Sequence, residues 1–330
     1  MLRIAFFGSS HHSIPTLDAL RKSYDIACVV TQPARPVGRK GILTPTPVET
    51  YAREHTIPLL TPKSQKDKPL MYEDEDAFLQ ELASFDPNIL IVAYYGQWVP
   101  DKALALVEYG GLNVHPSLLP AYRGASPGQF AMLHGEKETG ISVIKMAAEI
   151  DAGGVIVQES EPILDDDLPE ALYTRLFKKG SQLLLGVLPD YIAGKVDIIP
   201  QPEDSPTPYA KRLKREDGYI PFSMIKAAIE GTQPSDKQYS EVPLLKAFKD
   251  ELWVKVLERT IRALTPWPGV WTILENGEWK MDNGEKGNKK RLKILKAHTD
   301  GDKLVIDEVQ LEGKQPESWD TFKRSVHATI

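Results

Sequence analysis

The sequence predicts a doubly wound α/β fold with a mostly parallel open sheet, followed by a smaller β-barrel of the OB-like kind. Three observations predict it. From Leu2 to Ile192, short continuous apolar runs alternate with stretches of helical periodicity, the mark of strands buried on both faces by crossover helices. From Gln201 to Pro208 the composition turns to Pro, Ser and acid, which reads as a linker. Beyond it come two helical stretches and then short strand candidates between turn signals.

The elements follow in order. Leu2–Phe7 is an apolar run closed by Gly8-Ser9-Ser10, and Ile14, Leu17 and Leu20 then share one helical face. Ile26–Thr31 is a second buried strand, leading into a Pro/Gly/basic loop from Gln32 to Gly41. A helix near Val48–His55, a short strand at Ile57–Leu60 and a helix at Ala77–Ala83 precede the apolar strand Asn88–Ala93. A helix over Pro100–Glu108 leads to the strand Gly111–His115, and Pro127–His134 is helical until Gly135. Ile141–Ala147 and Val155–Ile163 alternate as a half-buried hairpin, and a helix spans Leu168–Ile192 with Gly180 inside it. In the remainder, helices are expected at Ser223–Glu230 and Leu244–Leu264. Strands are expected at Val270–Leu274, Leu292–Ala297, Leu304–Ile306 and Val309–Leu311.

A chain of 330 residues and 36.9 kDa suggests two domains, placed at 1–205 and 206–330. Its 42% apolar and 26% charged residues are ordinary for a globular protein. The opening apolar run is too short for a signal core, and no run approaches a membrane span, so a cytoplasmic protein without membrane contact is expected. Cys28 is the single cysteine and lies in an apolar run. It reads as a buried structural thiol and excludes a Cys-rich zinc site. Charge is uneven: residues 1–205 hold 18 Lys and Arg against 27 Asp and Glu, and residues 206–330 hold 22 against 19. The later basic residues gather in Lys211–Arg215 and from Lys286 to Lys296. Such clusters suit a polyanion such as RNA, and equally a solvated surface.

The turn Gly8-Ser9-Ser10 lacks the spacing of a dinucleotide phosphate turn. The chemistry concentrates between Leu112 and Pro127. Asn113 and His115 are two apart on a strand, so they share a face, at the carboxyl end where open α/β sheets place their sites. Converging amide and imidazole donors there would stabilise a developing oxyanion. Asp151, ahead of Ala152-Gly153-Gly154, is a carboxylate that would orient the histidine, or simply a turn former. His11, His12, His55, His134, His298 and His327 lack such neighbours. Tyr94-Tyr95-Gly96-Gln97 ends an apolar strand, where backbone amides can meet a heterocycle or the tyrosines can serve the core.

Asn113-Val114-His115-Pro116-Ser117-Leu118-Leu119-Pro120 resembles the Asn-x-His-x-Ser-Leu-Leu-Pro signature of folate-dependent formyltransferases, with an Asp-x-Gly loop at Asp151, 38 positions on. Other segments resemble the methionyl-tRNA branch of that superfamily. They are Thr31–Arg39 with Leu43–Val48, Tyr122-Arg123-Gly124-Ala125-Ser126-Pro127, Tyr209–Leu213, and Arg262–Gly269 with its Pro-Trp-Pro core. Relative to that pattern, Pro116 stands where a small residue is usual, Ile220-Pro221-Phe222 replaces an Asp-Trp pair, and a segment near 223–255 is inserted.

The resemblance implies a Rossmann-like formyltransferase domain and a C-terminal tRNA-binding domain. The implied reaction is transfer of the formyl group of 10-formyltetrahydrofolate to the α-amine of methionyl-initiator tRNA, for translation initiation, without a metal. It makes Asn113 the oxyanion donor and His115 a second donor or the acid for the departing nitrogen. Asp151 becomes the partner that relays the amine's proton. The folate would lie against Tyr94, Tyr95, Gly96, Gln97 and Val99, with Ser117, Leu118, Leu119 and Pro120 as the neighbouring wall. Arg39 and Lys40 would reach the acceptor end of the tRNA, and Lys211, Arg212, Lys214 and Arg215 its phosphates. No obligate protein partner is implied. The alternatives are a sugar-nucleotide amine formyltransferase with the same donor and triad, a formyltetrahydrofolate hydrolase, and a non-catalytic RNA- or folate-binding relative.

Overall fold

The computed structural model describes residues 2–38, 40–274 and 289–325. Two compact units emerge. The first comprises residues 1–127, 138–162 and 171–210, and the second residues 128–137, 163–170 and 211–330.

The first unit is built on a seven-stranded sheet. In chain order its strands are β1 (Arg3–Phe7), β2 (Asp25–Val30), then, after the separate ribbon β3 (Arg35–Val37) and β4 (Ile42–Thr44), β5 (Leu59–Leu60), β6 (Ile89–Ala93), β7 (Gly111–His115), β8 (Glu138–Lys145) and β9 (Val155–Pro162). Their spatial order is β5-β2-β1-β6-β7-β8-β9. The first five pair in parallel, and β8 and β9 complete the sheet antiparallel. The chain runs outward from β1 to β2 and returns to β6 on the other side, so the sheet's switch point lies between β1 and β6. Its helices are α1 (Ile14–Arg21), α2 (Pro47–Glu54), α3 (Glu75–Ser84), α4 (Asp101–Ala105) and, beyond α5 (Pro127–Leu133), which belongs almost wholly to the second unit, α6 (Pro169–Ile192).

One face of the sheet packs Ala5, Phe7, Cys28, Val30, Leu90 and Val92 against Phe78 and Leu82 of α3 and Ala103 of α4. Burial pushes the Cys28 thiol up to about 12, as befits an inert packing residue. The other face receives α6, and Gly180 marks its closest approach. A Cβ there would lie 2.6 Å from Val114 Cγ1 and 2.7 Å from Ile141 Cγ1, so the glycine lets helix and sheet touch.

The alternating plan matches the sequence reading, with two differences in this unit. The Pro/Gly/basic loop holds the first strand and the turn of the β3–β4 ribbon, which pairs Arg35 with Thr44 and Val37 with Ile42 just beyond it. The segment read as a linker is an ordered strap of the first unit, whose bonds belong to the site below.

The second unit carries α7 (Phe222–Glu230), α8 (Asp236–Tyr239), a 3-10 turn at Pro243–Phe248 and α9 (Trp253–Leu264). Then come β10 (Val270–Leu274), β11 (Lys290–Asp300), β12 (Lys303–Leu311), β13 (Glu317–Ser318) and α10 (Trp319–Ser325). The described strands form an antiparallel sheet in the order β10-β11-β12-β13. The helix expected over Leu244–Leu264 is broken. A new helix starts at Trp253, whose backbone N–H is accepted by Gln233 Oε1 at 3.1 Å and whose indole N–H donates to Met224 O at 2.7 Å. That buried Trp253 ties the stretch read as an insertion into the core of this unit. The strands expected at Leu304–Ile306 and Val309–Leu311 are one strand. Irregular pairing of β11 between Ile294 and Ala297 lets β12 continue through the polar pair Asp307-Glu308. Lys286, at the start of one basic run, lies outside the described residues.

Candidate active site

Strand β7 lies between β6 and β8, and its carboxyl end delivers Asn113 and His115 to one face, as period-two geometry requires. The loop after β8 brings Asp151 onto that face. Asn113 Nδ2 donates to Asp151 Oδ1 at 3.3 Å, and His115 Nδ1 stands 3.5 Å from the same oxygen. The three residues singled out in the sequence are therefore one cluster. His115 is 4% exposed, and its Nε2 lies 3.2 Å from the carbonyl oxygen of Tyr122. Both ring nitrogens face oxygen acceptors.

Asp151 has φ of 54°, in the left-handed region that few residues besides glycine, asparagine and aspartate adopt. Gly153 constrains the same loop. A Cβ at that position would fall 1.7 Å from Lys145 O, so the loop returns to β9 only with a glycine. The second carboxylate oxygen of Asp151 accepts from Gly124 N at 3.0 Å. The ring of Tyr209 adjoins Gly124. Burial raises its phenol, and the negative Asp151 raises it further.

The Ser117–Pro120 turn is locked from behind. Ser117 Oγ donates to Ala121 O at 2.6 Å, Ser142 Oγ donates to Ser117 O at 2.6 Å, and Gln158 Nε2 donates to Leu119 O at 2.7 Å. Leu119 packs with Ile144 and Val155, and Leu118 and Pro120 are half-buried. In the segment after β6, Tyr95 and Val99 belong to the core. Tyr95 donates to Gln97 Oε1 at 3.2 Å, while Gln97 Nε2 donates to Ser64 Oγ at 3.1 Å. Gly96 approaches the Gln32 side chain. These contacts leave mainly backbone for a ligand. Tyr94 differs: it is 38% exposed, has φ of 51°, and meets the rings of His12, Tyr173 and Phe177 within 5.7 Å. Its carbonyl accepts from Ser9 N at 3.2 Å across the switch point.

The basic residues stand apart from this cluster in the chain. Lys40 is exposed near the tip of the β3–β4 ribbon, and Arg39 lies outside the described residues. Lys211, Arg212, Lys214 and Arg215 are exposed on the second unit, with Lys211 paired to Asp217 at 2.5 Å. Among the described residues no helix is long and apolar enough to cross a membrane.

The chain matches the family model described as formyl transferase over residues 2–188, and that described as formyl transferase, C-terminal domain, over residues 253–327. It is 35% identical over 327 residues to the methionyl-tRNA formyltransferase of Listeria monocytogenes serotype 4a (strain HCC23), covering 95% of this chain and 92% of the relative. The chain belongs to the methionyl-tRNA formyltransferase family. Another relative of that name, from Halalkalibacterium halodurans, is 36% identical over 286 residues, covering 86% of this chain and 78% of the relative. The solved methionyl-tRNA formyltransferase from Clostridium thermocellum shares the fold, with a TM-score of 0.52 at 15% identity, covering 94% of this chain and 99% of that one. The stretch between the two matched segments of this formyltransferase, residues 189–252, includes both the strap and most of the segment read as an insertion.

Residues that sequence reasoning left out surround the triad: Tyr122 through its carbonyl, Gly124 through its N–H, and Arg123 and Gln201 through their side chains. Arg123-Gly124 lay inside a motif of the family resemblance. Gln201, in a Pro-rich stretch, carried no signal of its own.

Proposed function

We propose that this chain transfers the formyl group of 10-formyltetrahydrofolate to the α-amine of methionine esterified to initiator tRNA, in the cytoplasm. The observation that carries this reading is the 35% identity to methionyl-tRNA formyltransferases along nearly the whole of both chains. The convergence of Asn113, His115 and Asp151 supports it in chemical terms.

In this reading the first unit is the catalytic domain and the second the tRNA-binding domain. The methionyl amine attacks the formyl carbon. An asparagine amide carries two N–H groups, and one of those on Asn113 is given to Asp151, so the other donates to the developing oxyanion. Asp151 takes the proton the amine loses. His115 supplies the proton that the departing N10 gains, and Asp151, beside its Nδ1, returns one to the ring. One N–H bond is lost on the amine, one is made on N10, and the formyl group has moved.

The folate is held by backbone of the Tyr94–Val99 and Ser117–Pro120 segments, with the exposed Tyr94 ring as the side-chain contribution. Lys40 and Arg39 meet the acceptor end of the tRNA, and Lys211, Arg212, Lys214 and Arg215 meet phosphates. RNA affinity therefore falls with salt.

The test is formyl transfer to methionyl-initiator tRNA by the wild type beside Asn113→Ala, His115→Ala and Asp151→Ala. Each variant is expected to lose about 10²–10³ in rate, the cost of removing one preorganised donor. Formylation of an amino-sugar nucleotide in place of the charged tRNA would overturn the acceptor. Release of formate with no acceptor would overturn the transfer.

A further inference from the structure

Asp151 takes part in the proposed chemistry from a loop, in a left-handed conformation, with residues 147–150 beside it exposed to solvent. Gly124 N and Asn113 Nδ2 each hold one carboxylate oxygen, but bonds to the carboxylate do not fix the backbone that aims it. A second set of contacts does. Gln201 Nε2 donates to Asp151 O at 2.8 Å and to Gly153 O at 2.6 Å, bridging the two carbonyls of the turn. Its Oε1 accepts from Arg123 Nε at 3.1 Å. Arg123 is itself buried, and its remaining groups donate to Pro202 O at 2.6 Å and Glu203 O at 3.1 Å. The guanidinium thus determines which end of the Gln201 amide faces the Asp151 loop, because only the oxygen can accept from Arg123.

The ring of contacts closes through the triad. Arg123 lies between Tyr122, whose carbonyl faces His115 Nε2, and Gly124, whose N–H holds Asp151. We propose that Gln201 is a positioning residue for formyl transfer: by bridging Asp151 O and Gly153 O, with Arg123 as its anchor, it aims the Asp151 carboxylate at Asn113 and His115. This rests on the reading above, in which Asp151 serves the transfer. Gln201 bonds the loop's backbone and leaves the Asp151 carboxylate to its other partners. Its loss therefore keeps every reacting group and disturbs only their alignment.

Two variants and two readouts test it. Gln201→Glu keeps the length and can pair with Arg123, but has no N–H to give the two carbonyls. Gln201→Leu keeps the bulk and gives nothing. Misplacement of a reacting group by about 1 Å can cost roughly 10²-fold, so both variants are expected to lose about 10- to 100-fold in kcat. KM for both substrates should stay within about twofold, as for a residue that acts on alignment alone. Hydrogen exchange of the backbone amides in 147–154 should quicken about tenfold in both variants, because the bridge opposes local opening. An unchanged kcat beside an active wild type, or a rise in KM with kcat intact, would overturn the positioning role. A wild type that formylates no methionyl-tRNA would sink the functional reading instead. The exchange comparison would still decide the clamp, which falls if 147–154 exchange at the wild-type rate in both variants.

Discussion

Two proline-rich segments of the first unit read alike in the sequence and differ in the structure. The stretch from Gln32 to Pro47 forms the β3–β4 ribbon, with Val37, Ile42 and Leu43 56%, 63% and 66% exposed. Its two short strands pair with each other and with no other strand of the sheet. The stretch from Gln201 to Ala210 has no regular element, yet it is bonded along its length. Ser205 Oγ donates to Pro120 O, Thr207 Oγ accepts from Tyr122 N, and Ala210 exchanges backbone bonds with Arg123 and Ser126. The difference teaches that proline content marks where a helix or strand ends, and says nothing of whether the chain beyond it is held. Partners distant in sequence decide that.

The sharpest way to break this comparison is at the turn the strap grips. Gly153→Ala places a methyl against Lys145 O, so the turn must rebuild. A loss of about 3 kcal/mol in stability is expected, as for strain at a special backbone position, together with nearly all transfer activity. Denaturant unfolding and a transfer assay read both. Next comes Arg123→Ala, which leaves three part-buried acceptors without their donor. Bonds to a charged group are worth about 1.5–3 kcal/mol, so urea unfolding should show a loss of about 2 kcal/mol. A midpoint unchanged by Arg123→Ala would place the strap beside the ribbon as a merely adjacent segment.

A charged clamp in the second unit sharpens the contrast through pH. Arg259 donates to Leu133 O at 2.6 Å and pairs with Glu251 at 2.6 Å. The bonded Arg259 holds the Glu251 carboxyl below its ordinary value against the opposing pull of burial. Burial, in turn, lowers the neighbouring His134. A carboxylate depressed in the folded state stabilises fully above its unfolded value and loses that contribution as pH falls through the folded one. A histidine lowered by burial adds to the same trend, because the unfolded chain binds its proton first as pH falls. The second unit should therefore weaken on acidification, and Glu251→Gln should flatten the acid limb of a stability-against-pH curve. The uncharged Gln201 bridge predicts no such change when it is removed.

The smallest effect belongs to the ribbon. Leu43→Ser alters an exposed side chain, so stability should stay within about 0.5 kcal/mol. If the ribbon meets the acceptor end of tRNA, KM for the charged tRNA should rise while KM for the folate stays constant. An equal KM for both proteins would remove the ribbon from the RNA surface.

Much of the site was legible because it is encoded locally. Asn113 and His115 share a face by the two-residue repeat of a strand, and Gly153 follows Asp151 because the turn has no room for a Cβ. The helix break before Trp253 was not legible, since the signal that starts the new helix is Gln233, 20 residues away. Nor was the grip of Gln201 on Asp151, across 50 residues.

The sequence by itself determined the alternation of strands and helices, the parallel sheet that follows from it, and the pair Asn113 and His115 at the end of β7, to which the family resemblance added Asp151. Periodicity and turn chemistry act over a few neighbours, and so leave a trace in the order of residues. Only the tertiary structure decided that residues 128–137 and 163–170 join the second unit, that the strap belongs to the first, and that Asp151 is aimed by Arg123 and Gln201. Those outcomes depend on single hydrogen bonds and close contacts between distant segments, which no local pattern records.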